Sequence, residues 1–232
     1  MGQSRFRLKL EQLEDRQVLS GVQPSAAEQL MLEQLNDIRA NPAAYGNLIG
    51  VNLNGVAPAQ PLAFDPVLIQ AARTHAQDMS NRGFFAHNNP DGKDPGDRLT
   101  AAGFGWFSWG ESSAAGSAFP DSASALQALI IDQGIADLAH RKHLLGITTV
   151  FGLQSQVGIG VLQGTSGPLS NYYNIDTAST TNGSPFLTGV VFSDTTPNGR
   201  YDLGEGLGNL RISITGNGRT QTITTWSSDR KS

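Results

Sequence analysis

Cysteine is absent from all 232 residues. That excludes disulfide staples and thiolate metal sites, and leaves histidine, carboxylate and carbonyl oxygen as ligands for any metal. It does not exclude export. Aromatic residues are sparse at 7%, and charged residues make up 16% with a formal net charge of −4. The charge is mild and unclustered, and without a basic stripe nucleic acid is not an expected partner. No apolar run reaches the about 18 residues that a membrane-spanning helix requires. H-E-x-x-H, G-x-S-x-G and P-loop patterns are also missing, so the common hydrolase and nucleotide signatures fail.

Glycine, at 27 residues, is plentiful, and hydrophobic residues reach 38%. That composition suits a loop-rich globular chain with one sizeable domain and a small second one. The opening MGQSRFRLKL is basic like a signal n-region, but the polar EQLEDRQVLSG follows where an apolar segment belongs. Residues 1–24 are therefore no conventional signal peptide. They resemble the LE-LEDR-LLS leader of large exported surface proteins, the alternative being a frayed polar terminus.

Ser25 is a plausible N-cap for a helix over 26–40, where Ala27, Met31, Leu35 and Ile38 share a face. Pro42 can start a short second helix, and Asp65-Pro66 a third that runs to Arg82 and stops at Gly83. A short helix is expected at 95–102, an extended WFSWGESS, a helix capped by Asp121 or Ser122, and a helical turn in LAHRKHLLG. Strands are expected at 157–162 and 171–178. Helices followed by a hairpin make a layered α/β domain over 25–178. The polar stretch 179–185 reads as a linker, and 186–232 as a small all-β piece, with FLTGVVFSD strand-like.

Three motifs carry chemistry in the larger domain: FFAH ending in His87, WGES containing Glu111, and AHRKHLLG containing His140, followed by VGIGV. With LNDIRANP and LAFDPVLIQAARTHAQDMSNRGFFAH, their order resembles the CAP superfamily (cysteine-rich secretory, antigen 5 and pathogenesis-related 1 proteins), bacterial branch. The resemblance implies a three-layer α-β-α sandwich and a cleft with two histidines and two acids, which in several members holds a divalent metal such as zinc. Carried over, His87, His140 and Glu111 match, and Asp132 is the best candidate for the fourth acid. Ser112 and Ala139 depart from the family's usual Asn and Gly. Neutral imidazoles bind zinc, and a nearby carboxylate serves as ligand, base or imidazole partner.

Each residue has a blander alternative. The histidines could be structural, and Glu111 a cap or ion-pair partner. His75 lies on the apolar stripe Leu68, Ala72, His75, Met79 and reads as a core histidine. His143 could be a further ligand but is preferred as a surface or capping group. Phe84 and Phe85 are expected to pack inward and leave His87 facing the cleft. Trp106 and Trp109 are expected in the core or the cleft wall.

In the small piece, DTTPNGRYDLGE matches D-x-[DN]-x-[DN]-G-x5-E except for Thr196 at position 3. Strand-like flanks rule out an EF-hand, and the stretch resembles calcium-binding SdrD B-like repeats of bacterial surface adhesins. Asp194, Asn198, Asp202 and Glu205, with the Arg200 carbonyl, are the calcium ligand candidates. The chain stops short of a full module of that kind, as a fragment would. Two functions follow as expectations. One is an exported binding module with zinc in the cleft, calcium in the tail and an unidentified surface ligand. The other is a metal-dependent hydrolase, such as a peptidase, with Glu111 or Asp132 as base.

Overall fold

The computed structural model describes residues 22–181, 186–216 and 219–225, so most of the expected leader lies outside it. In chain order the elements are α1 (Ala26–Ala40), α2 (Pro42–Ile49), β1 (Ala63–Phe64), α3 (Pro66–Arg82), α4 (Pro95–Ala101), β2 (Ser108–Ala115) and α5 (Ser122–Ile131). Then come α6 (Ala139–Leu144), α7 (Thr149–Gly152), β3 (Gln156–Leu162), β4 (Tyr172–Ser179), β5 (Arg211–Gly216) and β6 (Arg219–Thr224). The fold is mixed α/β.

The helices start where the capping chemistry signals it. Ser25 accepts from the Glu28 amide at 3.3 Å while the Glu28 carboxylate accepts from the Ser25 amide at 2.7 Å, a reciprocal capping box. Asp65 caps α3 at the amides of Val67 and Leu68, Pro66 supplies a preset first φ, and Gly83 ends the helix at φ 70°.

Four strands form one sheet in the order β1-β3-β4-β2, with β1 parallel to β3 and the other pairs antiparallel. Alternation gives its faces different partners. Val157, Ile159, Tyr173 and Ile175 join Met31 and Leu35 of α1 and Leu126 and Ile130 of α5 in the main core. Each such side chain contributes roughly 1.5–3 kcal/mol on burial. On the opposite face the middle of β3 under α3 is Gly158 and Gly160, between Gln156 and Leu162. A Cβ on Gly158 would lie 2.0 Å from the Leu68 carbonyl carbon, and one on Gly160 2.6 Å from that of Ala72. The helix therefore rests on bare backbone.

Arg39 is buried without a carboxylate partner among its hydrogen bonds. It donates to the carbonyls of Gln60 at 2.9 Å and Leu144 at 2.7 Å, tying α1 to the end of α6. Burial lowers its pKa to about 10, so the guanidinium stays charged at neutral pH.

The short β1 and α7 were not expected, since two and four residues carry no readable period. β4 runs to Ser179, one residue into the expected linker, of which 182–185 lie outside the described residues. Past it, FLTGVVFSD forms no strand beyond an isolated bridge between Phe192 and Gly206. Val191 and Ser193 bond through the backbone to Leu207 and Glu205 of the facing segment. β5 and β6 form a hairpin from Arg211↔Thr224 to Gly216↔Arg219. No helix among the described residues is long and apolar enough to cross a membrane.

Candidate functional site

The site is built around the edge strand β2, from both faces of the sheet. On the α3 side, the chain leaves Gly83 and doubles back. Phe84 packs beside His75, ring centres 5.9 Å apart, with the Arg82 guanidinium 5.6 Å from its centroid. Phe85 points the other way and is 48% exposed, contrary to the expectation that both rings pack inward. Phe84 takes the place beside His75, and its neighbour is turned to solvent. His75 is fully buried and donates from Nε2 to the Ala86 carbonyl at 3.1 Å, which fixes the loop that carries His87.

His87 has 53% of its side chain exposed, and its Nδ1 donates to Glu111 Oε1 at 2.7 Å. Glu111 is almost fully buried. Its other oxygen accepts from Arg98, which also donates to the His87 carbonyl at 2.6 Å. Burial alone would raise the Glu111 pKa. The His87 hydrogen bond, the Arg98 charge and nearby His75 outweigh it and hold the carboxyl at about 2. Asp176 stands opposite Glu111 in the β2–β4 register. Burial and then the Glu111 charge push its pKa well above the carboxylate range, so it keeps its proton and hydrogen-bonds to Glu111. The pair thus holds one proton between two carboxyls.

On the opposite side, α5 ends at Asp132 with φ 56° and ψ 40°, a left-handed conformation that Asp tolerates better than most residues. Asp132 accepts from His140 Nδ1 at 2.7 Å and from the Arg141 amide at 3.1 Å. Arg141 donates to the carbonyls of Ile130 and Ile131, both at 2.6 Å, which closes α6 onto the end of α5. The His87 and His140 rings face each other with centres 6.4 Å apart and planes inclined by 37°.

Beside them opens a cleft of about 410 Å³, lined by His87, Asn88, Asp94, Trp109, Glu111 and Phe151 among others. Trp106 meets Trp109 edge-on at 6.3 Å and bonds to the Gly96 carbonyl, so Trp109 is the tryptophan that reaches the wall. Of the cleft residues expected from sequence, His87 pairs with Glu111 and His140 with Asp132. Each carboxylate is bonded to an imidazole Nδ1, and among the described residues no group of three or more His, Asp or Glu is gathered for a metal.

The profile described as the cysteine-rich secretory protein family, CAP, matches residues 32–169. The chain belongs to the CAP family. No curated protein matches it. Among solved structures it is similar to an extracellular protein containing an SCP domain from Bacillus anthracis str. Ames, at 24% identity over 65% of this chain and 40% of that one, TM-score 0.45. An outer surface protein of Borrelia burgdorferi is 14% identical over 65% and 92% of the two chains, TM-score 0.46. Schistosoma mansoni venom allergen-like protein 4 is 16% identical over 64% and 83%, TM-score 0.38. The chain thus spans well under half of the Bacillus protein.

Within this CAP domain, sequence reasoning missed Arg98 and Asp176 and misplaced His143. Arg98 gave no signal. Asp176 is a charge inside the otherwise uncharged strand NYYNIDTA, a pattern that marks a buried polar group. His143 does not lie on the surface, as was preferred for it. It is 3% exposed, between Ser112 Oγ at 2.7 Å and Thr177 Oγ1 at 2.6 Å.

Beyond the CAP match, the acidic loop of the tail closes on its own amides. Glu205 accepts from the Thr195 amide and hydroxyl and the Thr196 amide at 2.8–2.9 Å, and from the Asp202 amide at 3.1 Å. Asp194 accepts from the amides of Asn198 and Gly199, and Asn198 donates to Asp202 at 2.8 Å.

Proposed function

We propose that the protein is an exported, cell-surface or extracellular binding protein. Its CAP domain is the family's three-layer α-β-α sandwich, and its His87/His140 cleft takes a divalent metal, zinc foremost, and a surface ligand. The observation that carries this reading is the pair of carboxylate-held imidazoles 6.4 Å apart. With Nδ1–H given to Glu111 or Asp132, Nε2 of each ring is the unprotonated, metal-competent nitrogen. Two imidazoles on one zinc, each at about 2.0–2.1 Å and near the tetrahedral angle, put their ring centres roughly 5–5.5 Å apart, so the 6.4 Å pair would take the ion by closing about 1 Å. His87 and His140 would hold the ion, while Glu111 and Asp132 orient them. A bound zinc would supply Lewis acidity and an acidified water. Export rests on the leader-like LEDR segment and on the family's secretory character.

The tail is proposed as a partial SdrD B-like module whose Asp194–Glu205 loop binds calcium. The donors suit a hard cation, but their oxygens are engaged by loop amides, and Glu205 alone would exchange four hydrogen bonds. Affinity is therefore expected at the weak end, with a Kd of about 10⁻⁴–10⁻³ M. Zinc and calcium titrations on wild type, a His87→Ala/His140→Ala variant and Glu205→Gln test both sites. One zinc equivalent lost only in the histidine variant, and calcium heat lost only in Glu205→Gln, is the expected result. Wild type without zinc at neutral pH would end the metal reading of the cleft. Hydrolytic turnover abolished by Glu111→Gln would replace binding with catalysis.

A further inference from the structure

α6 is a poor helix by local criteria. It has six residues, its first flanking residue Leu138 sits at φ 53° and ψ 45°, and no side chain caps its start. So short a helix does not persist on propensity. It nonetheless carries His140, whose ring faces His87 beside the cleft. Asp132 fixes the His140 ring, but something must also fix the helix across the sheet.

We propose that His143 is the positioning residue of the cleft, an uncharged strut that fastens α6 to β2 and β4 and thereby sets the distance between His140 and His87. The imidazole is buried and bonded at both nitrogens to different strands, Ser112 on β2 and Thr177 on β4. The Thr177 hydroxyl is committed as donor to Gln154. It therefore accepts from His143 Nε2–H, and Ser112 donates to Nδ1, so one tautomer satisfies the whole chain. The space for the ring comes from β2 itself. Gly110 has no Cβ, and one placed there would meet the ring at 2.6 Å and Phe151 at 3.0 Å. Phe151, a cleft wall, sits with its ring centre 5.0 Å from the imidazole's, inclined by 59°. Ser112, the departure from the family's usual Asn, is the short side chain that reaches Nδ1.

This inference takes its functional meaning from the proposed cleft, and the test separates the two. Ring-to-ring proton contacts between His87 and His140 are recorded by NMR in wild type, His143→Ala, Gly110→Ala and the conservative His143→Gln, beside thermal unfolding and zinc titration. The expected result is loss of the His87–His140 cross-peaks in His143→Ala and Gly110→Ala with a dispersed, folded spectrum, and their return in His143→Gln. Zinc affinity should fall at least about tenfold in the first two, as for loss of a supporting shell. Should either variant fail to fold, Ser112→Ala removes only the Nδ1 bond and should weaken the same cross-peaks. Cross-peaks unchanged in every folded variant would overturn the proposal and leave His143 a stability residue. Wild type that binds no zinc would sink the metal reading alone, because the ring contacts decide the role of His143 without metal.

Discussion

A neutral histidine sealed in a fold makes stability fall in acid, and His143 makes the size of that fall calculable. Its pKa is lowered to about 3, first by burial and then by the charge of Arg39, with His140 and His87 adding to this and Glu111 opposing it. In the unfolded chain a histidine titrates near about 6.5. Between those two values the unfolded state binds a proton that the folded state refuses. The stabilising contribution is thus complete above about 6.5 and is lost as pH falls toward 3. At about 1.36 kcal/mol per unit, acidification from pH 7 to 4.5 removes roughly 2.7 kcal/mol through this one group. That is a large share of a typical folding free energy of about 5–15 kcal/mol. The assay is urea denaturation of wild type and His143→Gln at half-unit steps over that window. At pH 7 the variant should be less stable by about 1–3 kcal/mol, having lost a fitted ring with two buried hydrogen bonds. By pH 4.5 the gap should close or reverse, having moved by roughly 2.7 kcal/mol. Glu111, held at about 2, sheds its contribution only at lower pH, below the ordinary glutamate range, so it does not blur the comparison. A gap that stays constant within about 0.5 kcal/mol across the window would show that His143 is charged or solvated in the fold, and the strut argument would fall with it.

The carboxyl pair makes two opposite predictions. Glu111→Gln strands the Arg98 guanidinium and should cost roughly 3–5 kcal/mol by chemical denaturation at pH 7, whereas Asp176→Asn replaces a carboxyl whose pKa the fold raises and should leave stability at pH 7 unchanged or raised. Because the Asp176 pKa is raised in the fold, its stabilising share is lost as pH rises above the unfolded value of about 3.9, so Asp176→Asn should gain on wild type from there upward; a parallel pH profile would refute the shared proton. Gly158→Ala should abolish folding or cost more than about 3 kcal/mol, since its Cβ would meet the α3 backbone at 2.0 Å; a loss below about 1 kcal/mol by thermal unfolding would mean that α3 does not rest on that strand.

Much of the architecture was legible because its signals are local. Ser25 with Glu28, Asp65 with Pro66, and Gly83 each act within four residues, and the helices begin and end there. The strands of VGIGV and NYYNIDTA were equally readable from β-branched and aromatic runs, but their neighbours were not. That β2 joins the far side of β4, and so becomes an edge, is set by pairings about 70 residues apart, such as Ser108↔Ser179. No sequence pattern carries that.

The same limit explains what the sequence showed of the cleft and what it left out. Residue types in a motif order point to His87, Glu111, His140 and Asp132, but not to who bonds whom. The pairings follow from topology: Glu111 on one face of β2 meets the loop after α3, while Asp132, in the left-handed residue that ends α5, faces back onto α6 eight positions later. Both acids are thereby spent on Nδ1 atoms. Of the roles left open for a nearby carboxylate (ligand, base or imidazole partner) the hydrogen bonds favour the last for both acids. Arg98 and Asp176 complete the distinction. An Arg that neutralises Glu111 and an acid that keeps its proton leave the Glu111 carboxylate satisfied before any ligand arrives, so the exposed capacity of the cleft rests on the histidines.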